Sequence, residues 1–119
     1  MEREENQFEF TVTDDDVFLT VTIGEGQLGT SFVFRDNVLL VKGGVVIGSL
    51  NLGAGTELAG SEVSVDSIVN DVSTHTKTMS VRYVIENGGK LRAELATHEV
   101  DREGAVCRFV SALSFTRAS

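Results

Sequence analysis

Apolar side chains recur at every second position along most of this chain, and that rhythm constrains the fold more than any other feature. Phe8, Phe10 and Val12 alternate with polar residues. After Asp14-Asp15-Asp16, Val17, Leu19, Val21 and Ile23 alternate again, and Val81, Tyr83 and Ile85 repeat the pattern further on. Successive side chains of an extended strand point to opposite faces, so a period of two describes ribbons with one buried face. These short runs are punctuated by 12 glycines and no proline. They read as an all-β fold: an antiparallel β-sandwich of about eight short strands, with a small closed β-barrel as the alternative and at most one short helix.

Local pairing is expected to follow the turns. Pairing Val12 with Val17 across the aspartates sets Phe10 opposite Leu19 and Phe8 opposite Val21, one register for the whole apolar set. A three-residue loop at Asn87-Gly88-Gly89 sets Ile85 opposite Leu91, Tyr83 opposite Ala93 and Val81 opposite Leu95, with Glu86 facing Lys90 and Arg82 facing Glu94. A second such loop, Arg102-Glu103-Gly104, pairs Val100 with Val106 and Thr97 with Phe109. The three strands then form an antiparallel meander whose inner face holds Val81, Tyr83, Ile85, Leu91, Ala93, Leu95, Cys107, Phe109, Leu113 and Phe115. Asp36-Asn37 reads as a turn between Phe32–Arg35 and Val38–Val41. Without proline, sheet edges must be guarded by charge, by bulges or by pairing with another chain.

At 119 residues the chain fits one domain with a core of its own. Residues 1–6, acidic and polar, read as a disordered or extended tail, and residues 7–117 as a single β domain. No apolar run is long enough to span a membrane as a helix. One cysteine, Cys107, and no apolar leader segment point to a reducing, cytoplasmic setting. The net charge of −8 repels phosphate backbones and anionic lipid, so neither nucleic acid nor membrane is expected as a partner. A basic protein would be attracted, although charge of this size also serves solubility alone.

One motif tests whether nucleotide chemistry belongs here. Gly24-Glu25-Gly26-Gln27-Leu28-Gly29 reads G-x-G-x-x-G after a strand-like run. A dinucleotide loop needs a helix next, with its N-terminus facing the pyrophosphate. Here Thr-Ser-Phe-Val-Phe-Arg follows and reads as strand. A kinase glycine loop does join two strands, but no Val-Ala-Ile-Lys, His-Arg-Asp or Asp-Phe-Gly accompanies it. The loop is echoed at Leu52-Gly53-Ala54-Gly55, which runs on through Leu58 to Gly60. Gly24, Gly26, Gly29, Gly53, Gly55, Gly60, Gly88, Gly89 and Gly104, with Asn87, are therefore read as structural turn residues, the two similar loops being equivalent corners of related strand pairs.

Other chemistry is sparse. Cys107, His75 and His98 show no metal spacing, and Cys107 on an inner face reads as a small buried hydrophobe. Asp14-Asp15-Asp16 lacks the glycine and distal glutamate of a calcium loop. Asp66, Asn70 and Asp71 with Thr74 offer a few oxygens that could gather around a cation. No cofactor and no catalytic residue is assigned. In the meander register, Val84, Ala96, Val100, Val106, Val110 and Ala112 lie outside, interspersed with Arg82, Arg92, His98 and Arg108. Such a face is covered either by the chain's own second layer or by another subunit. Arg82, Val84, Arg92, Val100, Val106, Arg108 and Val110 are thus the candidate interface. The expected function is a small acidic, non-catalytic binding or assembly module that self-associates through a sheet face or edge, its partner a protein and in the first instance a second copy of itself. The alternatives are an inhibitor or immunity-type protein that blocks a basic partner, a ligand-holding barrel, and a small enzyme with carboxylates in a cleft.

Overall fold

The computed structural model describes residues 1–73, 77–100, 102 and 104–118. Among them the chain forms nine strands: β1 (Glu2–Val12), β2 (Asp16–Gly24), β3 (Leu28–Arg35), β4 (Val38–Gly43), β5 (Val46–Ala54), β6 (Glu62–Asn70), β7 (Thr78–Asn87), β8 (Lys90–Glu99) and β9 (Val106–Arg117). A single turn of helix, α1 (Gly55–Leu58), lies between β5 and β6. The strands make a five-stranded sheet, ordered β1-β9-β6-β3-β4, and a four-stranded sheet, ordered β5-β2-β7-β8. The sandwich reading holds. The barrel alternative does not, because among the described residues each sheet ends in two unpaired edges instead of closing on itself.

The period of two places the core as expected. Val17, Leu19, Val21 and Ile23 of β2, with Val81, Tyr83 and Ile85 of β7, form the inner face of the smaller sheet. They meet Val33, Val63, Val65, Val69, Phe109 and Leu113 of the larger sheet, and all are buried. Each such side chain contributes about 1.5–3 kcal/mol by leaving water. Two hydrogen bonds stitch polar groups into this core. Ser31 Oγ and Ser67 Oγ meet at 2.6 Å within the larger sheet, and Tyr83 Oη reaches across the interior to Ser111 Oγ at 2.6 Å. Burial pushes the Tyr83 phenol up to about 12, against a smaller opposing effect of the Ser111 bond.

Strand neighbours differ from the local expectation. Only β3–β4 and β7–β8 are hairpins within one sheet; every other connection crosses from one sheet to the other. β1 does not pair with β2. It lies parallel to β9, from Glu2 beside Cys107 to Val12 beside Arg117, so the expected tail at 1–6 is mostly paired strand. The reason is that a hairpin and a crossing bury the same alternating face; what decides here is the corner. The Asn87 side chain accepts from Thr13 N–H at 2.8 Å and donates to Asp15 O at 3.0 Å, and Gly55 N–H donates to Asp15 O at 3.0 Å. These bonds hold the aspartate segment as a bend between sheets.

The β7–β8 register is also shifted by one residue. Asn87 pairs with Lys90, Tyr83 with Glu94 and Val81 with Ala96. The loop has two residues, Gly88 and Gly89, at φ +60° and +79°. Positive φ at both positions matches the right-handed twist of a two-residue hairpin, and glycine reaches it without strain. Asn87 is therefore the last residue of the strand, its side chain serving the corner instead of the turn. One residue of slip turns β8 over. Leu91 and Leu95 point outward, 70% and 55% exposed, as does Ala93, while Ala96 is buried. The expected charge pairs Glu86–Lys90 and Arg82–Glu94 do not form opposite each other. The meander fails at its second hairpin as well, since β8 and β9 belong to different sheets. Glu103 of that loop lies outside the described residues.

Candidate functional site

The two glycine loops are corners. Both carry the chain from the smaller sheet to the larger, β2 into β3 and β5 into β6, and the strands they join are neighbours in each sheet. Glu25 and Gly26 turn the first corner at φ +62° and +74°, and β3 begins at Leu28 with no helix following. Gln27, 2% exposed, anchors this loop. Its Oε1 accepts from Val72 N–H at 2.8 Å and Ser73 N–H at 3.0 Å, and its Nε2 donates to Asp71 Oδ1 at 2.9 Å. Gly29 is needed for a different reason: a Cβ there would lie 2.3 Å from Ile68 O of the neighbouring strand. The Gln27 backbone N–H closes the turn on Gly24 O at 3.3 Å.

The remaining candidate groups do not converge. Asp66 lies on the outer face of the larger sheet and receives Arg108 in a two-pronged ion pair, with Nε 2.9 Å from Oδ1. Asp71 is taken by Gln27, and Asn70 is exposed at the end of β6. Thr74 and His75 lie outside the described residues. Among the described residues no group of three or more His, Cys, Asp or Glu side chains is placed to hold a metal ion. Cys107 is fully buried; burial pushes its thiol up to about 11, helped by the Glu4 and Glu2 carboxylates. What stands is a compact β-sheet domain without an obvious catalytic constellation among the described residues. No helix among them is long and apolar enough to cross a membrane.

The seven candidate interface residues do not share a face. Val106, Arg108 and Val110 lie on the outer face of the larger sheet, with Arg108 committed to Asp66. Arg82 and Val84 lie on the outer face of the smaller sheet, on the opposite side of the sandwich. Val100 is 4% exposed and belongs to the core. Arg92 pairs with Ile85, so it stands on the inward-facing row of edge strand β8 yet remains exposed. Ala96 is likewise inward and buried.

The four sheet edges give a sharper contrast. β1 is guarded by Glu2, Arg3, Glu4, Glu5 and Glu9. β8 carries Lys90, Arg92, Glu94 and Glu99. β5 is broken by register shifts against β2, with Ser49 at φ +43°. β4 exposes apolar side chains at consecutive positions. Asp36 and Asn37, at φ +50° and +67°, form the tight turn that lays β4 against β3, and Arg35 pairs with Val38. Val38, Leu39 and Leu40 are 64%, 50% and 41% exposed. The only charge on the strand is Lys42, whose Nζ sits 5.8 Å over the Phe32 ring. A bulge leaves Leu40 without a partner between Phe34–Leu39 and Val33–Val41. Val46, at the start of β5 in the other sheet, is also exposed, at 57%.

Sequence reasoning located this strand and its turn but not its exposure. The available signal was the break in alternation: Val38-Leu39-Leu40-Val41 is apolar at four consecutive positions, which one buried face does not require. Compared with known proteins, the chain matches no family model, no curated protein and no solved structure.

Proposed function

We propose that this chain is a non-catalytic assembly module that pairs with a second copy of itself through the β4 edge. The observation that carries the reading is the run of three consecutive exposed apolar residues, Val38, Leu39 and Leu40, on edge strand β4. An edge strand presents a row of unpaired backbone N–H and C=O groups, which natural sheets block unless another strand uses them; on β4 one lysine and one bulge stand against that row, beside three consecutive exposed apolar residues. A second copy suits this edge electrostatically. The chain as a whole carries −8, so two copies repel, yet β4 has no acidic residue. Antiparallel pairing about a two-fold axis at Leu40 would set Leu39 opposite Val41 and Val38 opposite Lys42 of the partner, with no like charges face to face. Such an isologous contact closes on itself and yields a dimer.

Light scattering across a concentration series tests this. The wild type is expected to dimerise, and Leu40→Lys, which places the kind of charge that guards other edges, is expected to give a folded monomer. A wild type that stays monomeric at high concentration sinks the reading. So does a Leu40→Lys dimer as stable as the wild type. A monomer that instead captures strands of other proteins would show the edge in use by a different occupant, and would likewise overturn self-pairing.

A further inference from the structure

The first half of β1 is built unlike the second. Phe8, Phe10 and Val12 anchor the second half in the interior, Phe8 packing 5.6 Å from the Tyr83 ring and Phe10 stacking on Phe115 at 5.8 Å. In the first half the inward-facing side chains are Glu2, Glu4 and Asn6. They bury no apolar anchor, so backbone pairing with β9 and polar contacts hold this stretch. The polar contact that reaches the opposite sheet is His98 of β8. Its Nδ1 lies 2.6 Å from Glu4 Oε1, and its Nε2 lies 3.1 Å from Glu2 Oε1, within ion-pair range but outside hydrogen-bond geometry. Glu2 Oε2 and Asn6 Nδ2 are buried without hydrogen-bond partners. Half-buried groups with incomplete partners, on a strand with no neighbour on its far side, belong to the least stable part of a sheet.

We propose that His98 is a pH-sensitive latch that holds the first half of β1 over β9, and that loss of its proton lets Glu2–Gln7 lift and uncovers Cys107. The groups facing His98 support the assignment. From β1 it faces Glu2 and Glu4. From β7 its cross-strand neighbour is Met79, uncharged. On its own inward row the next residue is Ala96, with Glu94 beyond. From β9 the titratable side chain in line with Glu2 is Cys107, a neutral thiol well above neutral pH. A protonated imidazole therefore sits between two carboxylates with no competing cation among these groups. Its pKa is raised, chiefly by the hydrogen bond to Glu4, opposed in part by burial and reinforced by Glu2. A raised histidine holds fully below its ordinary value of about 6.5 and releases as pH climbs through the higher native value. The latch is thus closed on the acid side. Once it opens, the two carboxylates face each other without a counter-charge.

Cys107 is fully buried in line with Glu2 and is the only cysteine in the chain, so it reports opening directly. The experiment measures its rate of labelling by a disulfide reagent from pH 6 to 9, divided by the rate in urea-unfolded protein to remove the thiolate fraction, with amide exchange of β6 followed in parallel. In the wild type the normalised rate should rise roughly three- to fivefold as His98 titrates, the range expected for a partly exposed ion pair. In His98→Gln it should be high and flat, while β6 amides stay protected in both. A normalised rate that ignores pH, or a His98→Gln rate as low as the wild type, overturns the latch. A rise matched by β6 exchange also overturns it, because the opening would then be global. Failure of dimerisation through β4 would leave this result untouched, since β1 and β4 are opposite edges of the same sheet.

Discussion

Replacing Asn87 by alanine removes a side chain, 8% exposed, that ties the end of β7 to the bend between β1 and β2. Its Oδ1 accepts from Thr13 N–H at 2.8 Å and Thr13 Oγ1 at 3.2 Å, and its Nδ2 donates to Asp15 O at 3.0 Å. Alanine keeps the extended backbone that Asn87 has at the end of β7, so no strain enters and the loss is one of hydrogen bonds. Two well-formed bonds contribute about 1 kcal/mol each, and the Thr13 N–H, half-buried in the corner, adds about 1–2 kcal/mol if water does not reach it. The expected cost is about 2–4 kcal/mol. At about 2.1 cal/mol/K per residue, a chain of 119 residues should lose about 8–16 °C of melting temperature. The assay is urea denaturation with thermal melts of wild type, Asn87→Ala and Asn87→Asp. The aspartate variant keeps the acceptor but sets a carboxylate against the Asp15 carbonyl, so it should be at least as unstable as alanine. If Asn87→Ala stays within about 0.5 kcal/mol of wild type, the corner is not held by this side chain. The account of why β1 crosses to the other sheet then fails with it.

Two further outcomes follow from close contacts and burial. Gly29→Ala would force a methyl group to 2.3 Å from Ile68 O and 2.9 Å from Ile23 Cδ1, and because a backbone atom cannot rotate away the cost should be about 2–4 kcal/mol. Gly60→Ala, with open space but φ +87°, should cost only about 1 kcal/mol; equal effects in denaturant titrations would refute the close-approach role of Gly29. Tyr83 is the only tyrosine, so its phenolate absorbance should stay absent in the folded protein until pH approaches about 12. The unfolded chain ionises near 10, so between those values Tyr83 should lower stability by about 1.4 kcal/mol per pH unit. Phenolate at pH 10 in protein that is still folded would contradict the buried Tyr83–Ser111 contact.

The alternation was sufficient to mark Val17, Leu19, Val21, Ile23, Val81, Tyr83, Ile85, Phe109 and Leu113 as interior, and the glycine loop as a corner between strands. It was not sufficient for the candidate site. The interface reading followed a meander, so Arg82 and Val84 were grouped with Val106 and Arg108 although the sandwich separates them. The exposed β4 strip was visible only as a broken rhythm. The His98–Glu4 contact joins residues 94 positions apart in the chain, and nothing local points from one to the other.

What the sequence by itself determined is which side of each ribbon leaves water, because side-chain direction in a strand is fixed by geometry and apolar burial rewards one face. What only the tertiary structure decided is who lies beside whom. A hairpin and a crossing bury the same face equally well, so the choice fell to particular contacts: Asn87 at the corner, Gly88-Gly89 at a turn whose twist fixed the β8 register, and β9 as a parallel neighbour for β1. That register set Leu91 and Leu95 outward against the apolar pattern. An edge strand only partly covered from inside loses little by exposing leucine, whereas a mistwisted turn would distort the whole pairing.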